Sequence, residues 1–301
     1  METTQTFNLS PQPVVQIVQA RVFTHPDTIE TKEVLGNPAS IVFCSEIFPS
    51  KEAMKQIAIS EKAPMTAFVL HKHDNNFAIQ FFTPSGTEFG LCGHATLIAS
   101  HFVYEQYGFE KVVFTREGLE QPLETTNVKV LGTKEFTQIT MPAYMPMKKE
   151  VYEADDYVPL LGISTVDVVA FYECQMLHDR IIVLNNVEAL RMAQPDFEKL
   201  ATKLAINNIR GLFITALSDI ADIDYEVRIF APHFGIDEDI SCGSANCSLL
   251  PLWYELTKAV GDKEFKILCP YDYKSGKMGG IEIGHYNKEH HNINIGGIIS
   301  E

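Results

Sequence analysis

The chain has 301 residues, of which 46% are hydrophobic and 21% are charged, a composition typical of folded globular proteins rather than disordered chains. Its length accommodates two domains of about 150 residues each. The net charge of −15 argues against nucleic acids and anionic membrane surfaces as partners, because both are bound through basic patches.

The sequence also lacks the signals of membrane insertion and secretion. It has no run of about 18 apolar residues of the kind that spans a bilayer. The N-terminus lacks the basic start and apolar core of a signal peptide. The six cysteines are scattered without a CxxC pair, which argues against a zinc site or a disulfide framework. We therefore expect a cytoplasmic protein with reduced thiols.

Hydrophobic patterning predicts the elements of the first half in chain order. Residues 1–12 are polar and are predicted to form a loose tail. Strands are predicted at Val14–Phe23, Ala39–Cys44, Thr66–Leu70, Phe77–Phe82, Val112–Phe114, Val128–Leu131 and Gln138–Met141. Helices are predicted at Ser50–Lys62, with Ser50 as N-cap, and at Gly93–Tyr107, ended by Gly108. The second helix has so little polar surface that we expect it to be buried.

The second half repeats this succession of strands and helices. Strands are predicted at Val166–Phe171, Arg180–Leu184, Gly211–Thr215, Tyr225–Phe230, Phe265–Leu268, Ile281–Ile283 and Ile293–Ile299. Helices are predicted at Asp196–Ala205 and Gly243–Val260. The pattern indicates an α+β fold of two similar domains, residues 13–141 and 142–301. In each domain a mostly antiparallel sheet wraps around a buried central helix. The last strand either stays with the C-terminal domain or returns to the N-terminal domain.

The two halves share one motif in the same register, about 150 residues apart. Glu88–Ala95 reads Glu-Phe-Gly-Leu-Cys-Gly-His-Ala, and Glu238–Ala245 reads Glu-Asp-Ile-Ser-Cys-Gly-Ser-Ala. Each motif opens an apolar run that ends in Tyr-Glu. A single repeat of this length indicates a duplicated unit, and each copy predicts a strand–turn–helix junction.

Both junctions place a glycine, Gly93 or Gly243, in the first turn of a helix, where backbone N–H groups favour an anion. Two facing junctions would bracket a small anionic substrate. Cys92 and Cys242 stand at the helix N-termini, so we expect lowered thiol pKa values there. Such thiols could act as acid and base on opposite faces of one carbon, as in a racemase. His94 is a further candidate for proton transfer near neutral pH.

These residues resemble those of the PhzF-like (phenazine biosynthesis protein-like) family, which shares the diaminopimelate epimerase fold of two similar domains around a central cleft. The resemblance runs from about Val15 to Ile299. It rests on an ordered set of motifs: Gly36-Asn37-Pro38-Ala39, Phe82-Thr83-Pro84, Leu91-Cys92-Gly93-His94-Ala95-Thr96, Arg228-Ile229-Phe230-Ala231-Pro232, Glu238-Asp239 with Gly243-Ser244-Ala245, and Ile295-Gly296-Gly297.

The resemblance implies an isomerase that transfers a proton on a small carboxylated metabolite, with no metal or organic cofactor, and a homodimer. His94 and Asp239 correspond to the family's histidine and acidic residue and would assist proton movement. Ser244 corresponds to the family's serine and would hold the substrate together with the Gly93 and Gly243 amides.

The chain departs from the family pattern at one chemically important position. The family's usual acid/base is a glutamate in a stretch of the type Ser-Glu-Thr-Ala-Phe-Val, where this chain has Met65. Methionine cannot transfer a proton, and Glu61, one helical turn earlier, is not aligned with that position. Ile240 replaces the usual proline. Cys242 replaces the usual threonine, which increases the similarity to diaminopimelate epimerase and its paired catalytic cysteines.

Three hypotheses about function follow from these observations. The first is a PhzF-like isomerase with altered proton-transfer groups, supported by His94, Asp239 and Ser244. The second is a racemase or epimerase that uses Cys92 and Cys242. The third, prompted by Met65, is a non-catalytic descendant that binds a metabolite or a protein.

Overall fold

A computed structural model describes residues 15–25, 33–118, 121–129, 135–271 and 277–301. The predicted tail, residues 1–12, and the last two residues of the strand predicted at Val128–Leu131 lie outside the described residues. Within the described ranges, no helix is both long enough and apolar enough to cross a membrane.

Strands make up most of the regular structure. Those of the first half are β1 Val15–Thr24, β2 Glu33–Val34, β3 Asn37–Cys44, β4 Thr66–His73, β5 Asn76–Phe82, β6 Glu88–Phe89, β7 Lys111–Thr115, β8 Leu123–Lys129 and β9 Glu135–Pro142. Those of the second half are β10 Met147–Lys149, β11 Val168–Cys174, β12 Asp179–Leu184, β13 Gly211–Leu217, β14 Tyr225–Ala231, β15 Ile236–Asp239, β16 Glu264–Cys269, β17 Lys277–Met278, β18 Gly280–Asn287 and β19 Asn292–Ser300.

The helices are shorter and fewer than the strands. The α-helices are α1 Lys51–Glu61, α2 Gly93–Tyr107, α3 Val158–Leu161, α4 Val187–Met192, α5 Phe197–Ile206 and α6 Asn246–Leu256. Turns of 3₁₀ helix lie at Val151–Ala154, Thr165–Asp167, Pro232–Phe234 and Gly243–Ala245. The 3₁₀ turn at Thr165–Asp167 delays the strand predicted from Val166, which begins at Val168.

Hydrogen bonds join the strands, apart from the short pair β2–β17, into one extended sheet. Most neighbouring strands are antiparallel; the parallel pairs are β3–β4, β5–β7, β12–β13, β14–β16 and β2–β17. The last strand, β19, pairs with β18 and also with β1 and β9 of the first half. The structure confirms a mixed fold of helices and strands that is dominated by its sheet.

The helix α2 follows the sequence prediction closely. It spans Gly93–Tyr107, most of its side chains are buried, and it contacts strands β1, β3, β4, β7, β8, β9 and β19. Gly108 ends it with φ of 74°, a left-handed conformation that glycine adopts at little cost. The predicted N-cap of α1 is also confirmed, since the Ser50 hydroxyl accepts a 3.2 Å hydrogen bond from the Ala53 N–H.

The matching helix of the second half is shorter than predicted. The helix expected at Gly243–Val260 begins as a 3₁₀ turn and ends at Leu256. Lys258 adopts a left-handed conformation with φ of 53°, and the Ala259 N–H bonds back to the Tyr254 carbonyl at 2.9 Å. This reversal satisfies the last carbonyls of the helix and stops it before Val260.

Candidate active site

The two repeated junctions lie against each other. Short strand β6 leads into α2, and β15 leads into the 3₁₀ turn Gly243–Ala245 that opens α6. In both junctions a cysteine precedes the helix in extended conformation, with φ of −137° at Cys92 and −127° at Cys242. The helix α2 contacts the turn Gly243–Ala245 directly. The repeat of the sequence is therefore also a repeat of local structure.

His94 is held at the start of α2 by two neighbours. Its Nδ1 lies 3.3 Å from the Cys92 Sγ, and its ring also hydrogen-bonds to the backbone of Pro38. Burial lowers the pKa of His94 to about 4. The imidazole is therefore neutral at physiological pH, with one nitrogen able to donate and the other able to accept a hydrogen bond.

Asp239 ends β15 and is held by groups from both halves of the chain. Its Oδ1 accepts hydrogen bonds from Asn37 Nδ2 at 3.1 Å and from the Ser241 N–H at 3.2 Å. Asn37 Nδ2 also donates to the Ser241 carbonyl at 2.7 Å. Burial raises the pKa of Asp239 to about 6 despite these donors. The carboxylate is thus a stronger base than an ordinary aspartate.

Asn37 joins the first half of the chain to the second junction, a role that the motif Gly36-Asn37-Pro38-Ala39 did not reveal. Gly36 has φ of 67°, and a Cβ there would meet Thr24 Cγ2 at 2.5 Å. This position therefore requires glycine, and the turn that it allows delivers Asn37 into β3. The sequence Gly-Asn-Pro is typical of such a turn, but it does not indicate that Asn37 hydrogen-bonds to Asp239 in the second half of the chain.

The expectation of lowered thiol pKa values at Cys92 and Cys242 is wrong. Burial raises the pKa of Cys92 to about 12, although the backbone N–H groups of Ala95 and His94 oppose this rise. Burial and the nearby Asp239 charge raise the pKa of Cys242 well above its ordinary value. A helix N-terminus stabilises a charge by about 0.3–1 kcal/mol, which is less than the cost of desolvating a buried thiolate.

Alkylation at neutral pH is therefore expected to be slow at both thiols. With the pKa of Cys92 near 12, its thiolate fraction is roughly a thousandfold below that of an ordinary cysteine. Iodoacetamide labelling followed by peptide mass spectrometry measures the rate at each of the six cysteines. Rapid labelling of Cys92 or Cys242 at pH 7 in the folded protein would contradict this expectation.

Ser244 lies beside a guanidinium that sequence reasoning missed. Its Oγ accepts a 3.0 Å hydrogen bond from Arg210 Nη1 and lies 3.4 Å from Cys242 Sγ. Arg210 is held by the buried carboxylate of Asp179 through bonds of 2.9 and 2.6 Å, and 35% of its side chain is exposed. The second junction thus includes a fixed cation. No local pattern connects Arg210 with Ser244, because strands β13 and β14 separate them in the chain.

The position of the family's glutamate is apolar in this chain. Met65 is 5% exposed and belongs to the hydrophobic cluster that also contains Cys92. Glu61 does not replace the missing acid: its Oε2 accepts hydrogen bonds of 3.0 Å from Gln19 Nε2 and from Ser40 Oγ. The described hydrogen bonds of Glu61 therefore lead to β1 and β3 and not to either junction.

Comparisons with known proteins identify the family of this chain. The family model of phenazine biosynthesis-like proteins matches residues 27–298. An "uncharacterized isomerase" of Pseudomonas aeruginosa is 33% identical over 231 residues, which cover 77% of this chain and 80% of that protein. The crystal structure of a PhzF family phenazine biosynthesis protein of Enterococcus faecalis covers 96% of both chains at 26% identity, with a TM-score of 0.75.

A more distant structural neighbour shows how widely the fold is shared. A probable proline racemase of Agrobacterium radiobacter covers 95% of this chain and 91% of its own at 11% identity, with a TM-score of 0.54. At this identity the likeness concerns the fold alone. The relative from Pseudomonas aeruginosa is named an isomerase, and the match covers 80% of its length. This supports isomerase as the enzyme class of this chain. Since the family model matches well over half of the sequence, the chain belongs to the phenazine biosynthesis-like protein family.

Proposed function

We propose that this isomerase transfers a proton on a small carboxylated metabolite, without a metal or an organic cofactor. In this proposal residues 13–141 and 142–301 form two similar domains, each a sheet around its central helix, and the substrate lies in the cleft between them. The protein would act in the cytoplasm, as a homodimer, with neither nucleic acid nor membrane as a partner.

One observation carries the proposal: polar groups from both halves meet where the two junctions touch. His94 and Asn37 come from the first half, and Asp239 and Ser244 come from the second. The 3.1 Å hydrogen bond from Asn37 to Asp239 connects the halves directly. Isomerisation by proton transfer needs an acid and a base at one place, and the contact between the two junctions supports assigning them to it.

The substrate carboxylate is assigned to the backbone amides of Gly93 and Gly243 and to the Ser244 hydroxyl. Glycine at the first helix start leaves room for close approach, since an added Cβ at Gly93 would meet nothing within 4 Å, whereas at Gly243 it would contact Phe23 Cζ at 3.5 Å. Arg210 adds a positive charge behind Ser244, in a chain whose net charge is −15. Hydrogen bonds between charged groups of this kind are about twice as strong as those between neutral groups.

Proton removal is assigned to Asp239, since its raised pKa of about 6 leaves it ionised but basic at neutral pH. The electron pair of the broken C–H bond shifts into the substrate, next to its carboxylate. Neutral His94 is assigned to the return of a proton at another carbon or on the opposite face: one ring nitrogen gives up its proton while the other gains the proton that Asp239 took, so that both groups regain their starting charge. One proton leaves carbon and one is gained, so the reaction requires no oxidant or reductant.

The test is a panel of small mono- and dicarboxylates incubated with the protein in heavy water and followed by NMR. A compound that binds and gains carbon-bound deuterium supports the proposal. Arg210→Met and Ser244→Ala are expected to weaken binding of that compound by about tenfold or more, since each removes a charge or a hydrogen bond near the carboxylate. If compounds bind but none gains deuterium, proton transfer is excluded.

A second candidate, thiol-based racemisation, is favoured by the equivalent placement of the two cysteines. Each sulfur lies close to the side chain two residues later, at 3.3 Å for Cys92 and His94 and 3.4 Å for Cys242 and Ser244. Racemases need two proton-transfer groups on opposite sides of one carbon, and the repeat supplies such a pair.

Serine substitution separates the two candidates. If Asp239 and His94 transfer the proton, Cys92→Ser and Cys242→Ser are each expected to change the deuterium-exchange rate by less than about tenfold. Two-thiol chemistry would instead lose about 10²–10⁴-fold in each variant. Cys44→Ser, at a buried cysteine away from the junctions, is the matched control.

A further inference from the structure

A buried carboxylate lies directly behind the second junction. Glu282, on β18, has no exposed surface. Its Oε1 accepts a 2.6 Å hydrogen bond from Ser241 Oγ, and its Oε2 accepts one from Asn246 Nδ2. Asn246 in turn accepts from the Tyr225 hydroxyl at 2.8 Å. In the described part of the chain, no cation forms an ion pair with Glu282.

Ser241 connects this carboxylate to Asp239. Its backbone N–H donates to Asp239 Oδ1 at 3.2 Å, while its hydroxyl bonds to Glu282. Ser241 is itself fully buried, so water does not separate the two acids at this residue. One side of Ser241 therefore faces the proposed base, and the other faces a second acid that the proposed mechanism does not use.

Two carboxylates this close in a buried site do not both ionise easily. Burial raises the pKa of Glu282 to about 7, and the charge of Asp239 contributes to that rise. The other titratable groups that face Glu282 are Tyr225 on β14, Cys269 on β16 and Cys242 in the junction. All three have raised pKa values and stay neutral. Near neutral pH, protons in this cluster are therefore shared between Glu282 and Asp239.

The Ser241 hydroxyl suits both charge states of Glu282. Toward an ionised Glu282 it donates a hydrogen bond, and from a protonated Glu282 it accepts one. In the second case its own hydrogen is free to turn to Cys269, which lies within hydrogen-bonding reach of the Ser241 side chain. A change of protonation therefore requires only rotation of a hydroxyl group, with no movement of β18.

We propose that Glu282 is a positioning residue that governs the protonation of Asp239 across Ser241. While Glu282 holds a proton, Asp239 is left as the ionised base; when Glu282 ionises, its charge favours the protonated, acidic form of Asp239. This role rests on the proposed function of Asp239 in proton transfer.

The experiment is a carboxyl carbon NMR titration of the full chain, with Asp239 and Glu282 assigned from their substitutions. Glu282→Gln keeps the shape of a protonated glutamate and removes its charge. Asp239, whose pKa is the lower of the two, titrates while Glu282 is still protonated, so its midpoint is expected to stay within about half a pH unit in this variant. Glu289→Gln, the same change at an exposed position, should leave the Asp239 midpoint unchanged.

The reciprocal variant protects the test against misfolding of Glu282→Gln. Glu282 titrates beside an ionised Asp239, so Asp239→Asn, which removes that charge, is expected to lower the Glu282 midpoint by about one pH unit or more. An unchanged Glu282 midpoint in Asp239→Asn would show that the two acids are not coupled and that Glu282 is only a structural hydrogen-bond acceptor. Since the titration requires no substrate, its outcome is independent of whether deuterium exchange is found.

Discussion

Asp239→Asn is expected to lower deuterium exchange into a bound carboxylate by about 10²–10⁴-fold, the usual contribution of a general base. The amide oxygen of asparagine can still accept the hydrogen bonds that Asn37 and Ser241 donate to Asp239, so the junction should keep its structure. What the variant loses is the ability to take a proton. The rate is measured by NMR at substrate concentrations that saturate each protein.

Asp237→Asn provides the matched control, because Asp237 lies on the same strand, β15, with its side chain exposed. It should exchange at the rate of the unmodified protein. An exchange rate in Asp239→Asn within about threefold of that control would remove Asp239 from the mechanism. The cysteine pair would then be the remaining source of a base.

The second large expected effect is a dependence of protein stability on pH that is caused by Glu282. The rise of its pKa from 4.5 to about 7 means that the folded protein holds this proton more tightly than the unfolded chain. That stabilisation is complete below pH 4.5 and is lost as the pH rises through 7. For a fully buried group this shift corresponds to about 3 kcal/mol of unfolding free energy.

Comparing the unmodified protein with Glu282→Gln isolates the contribution of Glu282 to the free energy of unfolding. Because the pKa of His94 is lowered in the folded protein, His94 makes the free energy of unfolding increase as the pH rises. The raised pKa of Asp239 makes it decrease. Both groups are present in Glu282→Gln. Urea unfolding from pH 4.5 to 8 should therefore show the stability of the unmodified protein falling relative to this variant by about 3 kcal/mol. A difference that stays constant over this range would mean that Glu282 titrates normally.

The helix α2 could be predicted to the residue because local rules decide its ends. Gly93–Tyr107 is apolar on nearly every face, and Gly108 supplies a left-handed C-terminus. The duplicated motif also identified both junctions, since strand–turn–helix geometry is encoded within a few residues. The end of α6 was missed because Lys258, not glycine, adopts the left-handed conformation there.

The surroundings of the site could not be predicted from local pattern. Asn37, Arg210 and Glu282 reach the second junction from β3, from the residue before β13 and from β18, so their contacts depend on how distant strands pair. Burial also reversed the expected ionisation of the thiols, because a sequence shows a helix N-terminus but not the desolvation around it. The same burial gives Asp239 and Glu282 their raised pKa values.

Met65 replaces the family's glutamate in this chain, but other acidic residues lie near the junctions. The side chain of Met65 lies in the apolar cluster that contains Cys92, so this position of the chain carries no carboxylate. The two acids that the proposals use, Asp239 and Glu282, come instead from the second half. The proposed base therefore belongs to the half of the duplication that does not contain the position of the family's glutamate.

The most direct test of proton transfer without a cofactor is deuterium exchange by protein treated exhaustively with a metal chelator and then dialysed. Exchange at the carbon next to the substrate carboxylate is expected to continue at the untreated rate, and to be lost in Asp239→Asn. Exchange that stops after chelation and returns with added metal would contradict this expectation, as would tight binding of substrate with no carbon-bound deuterium at all.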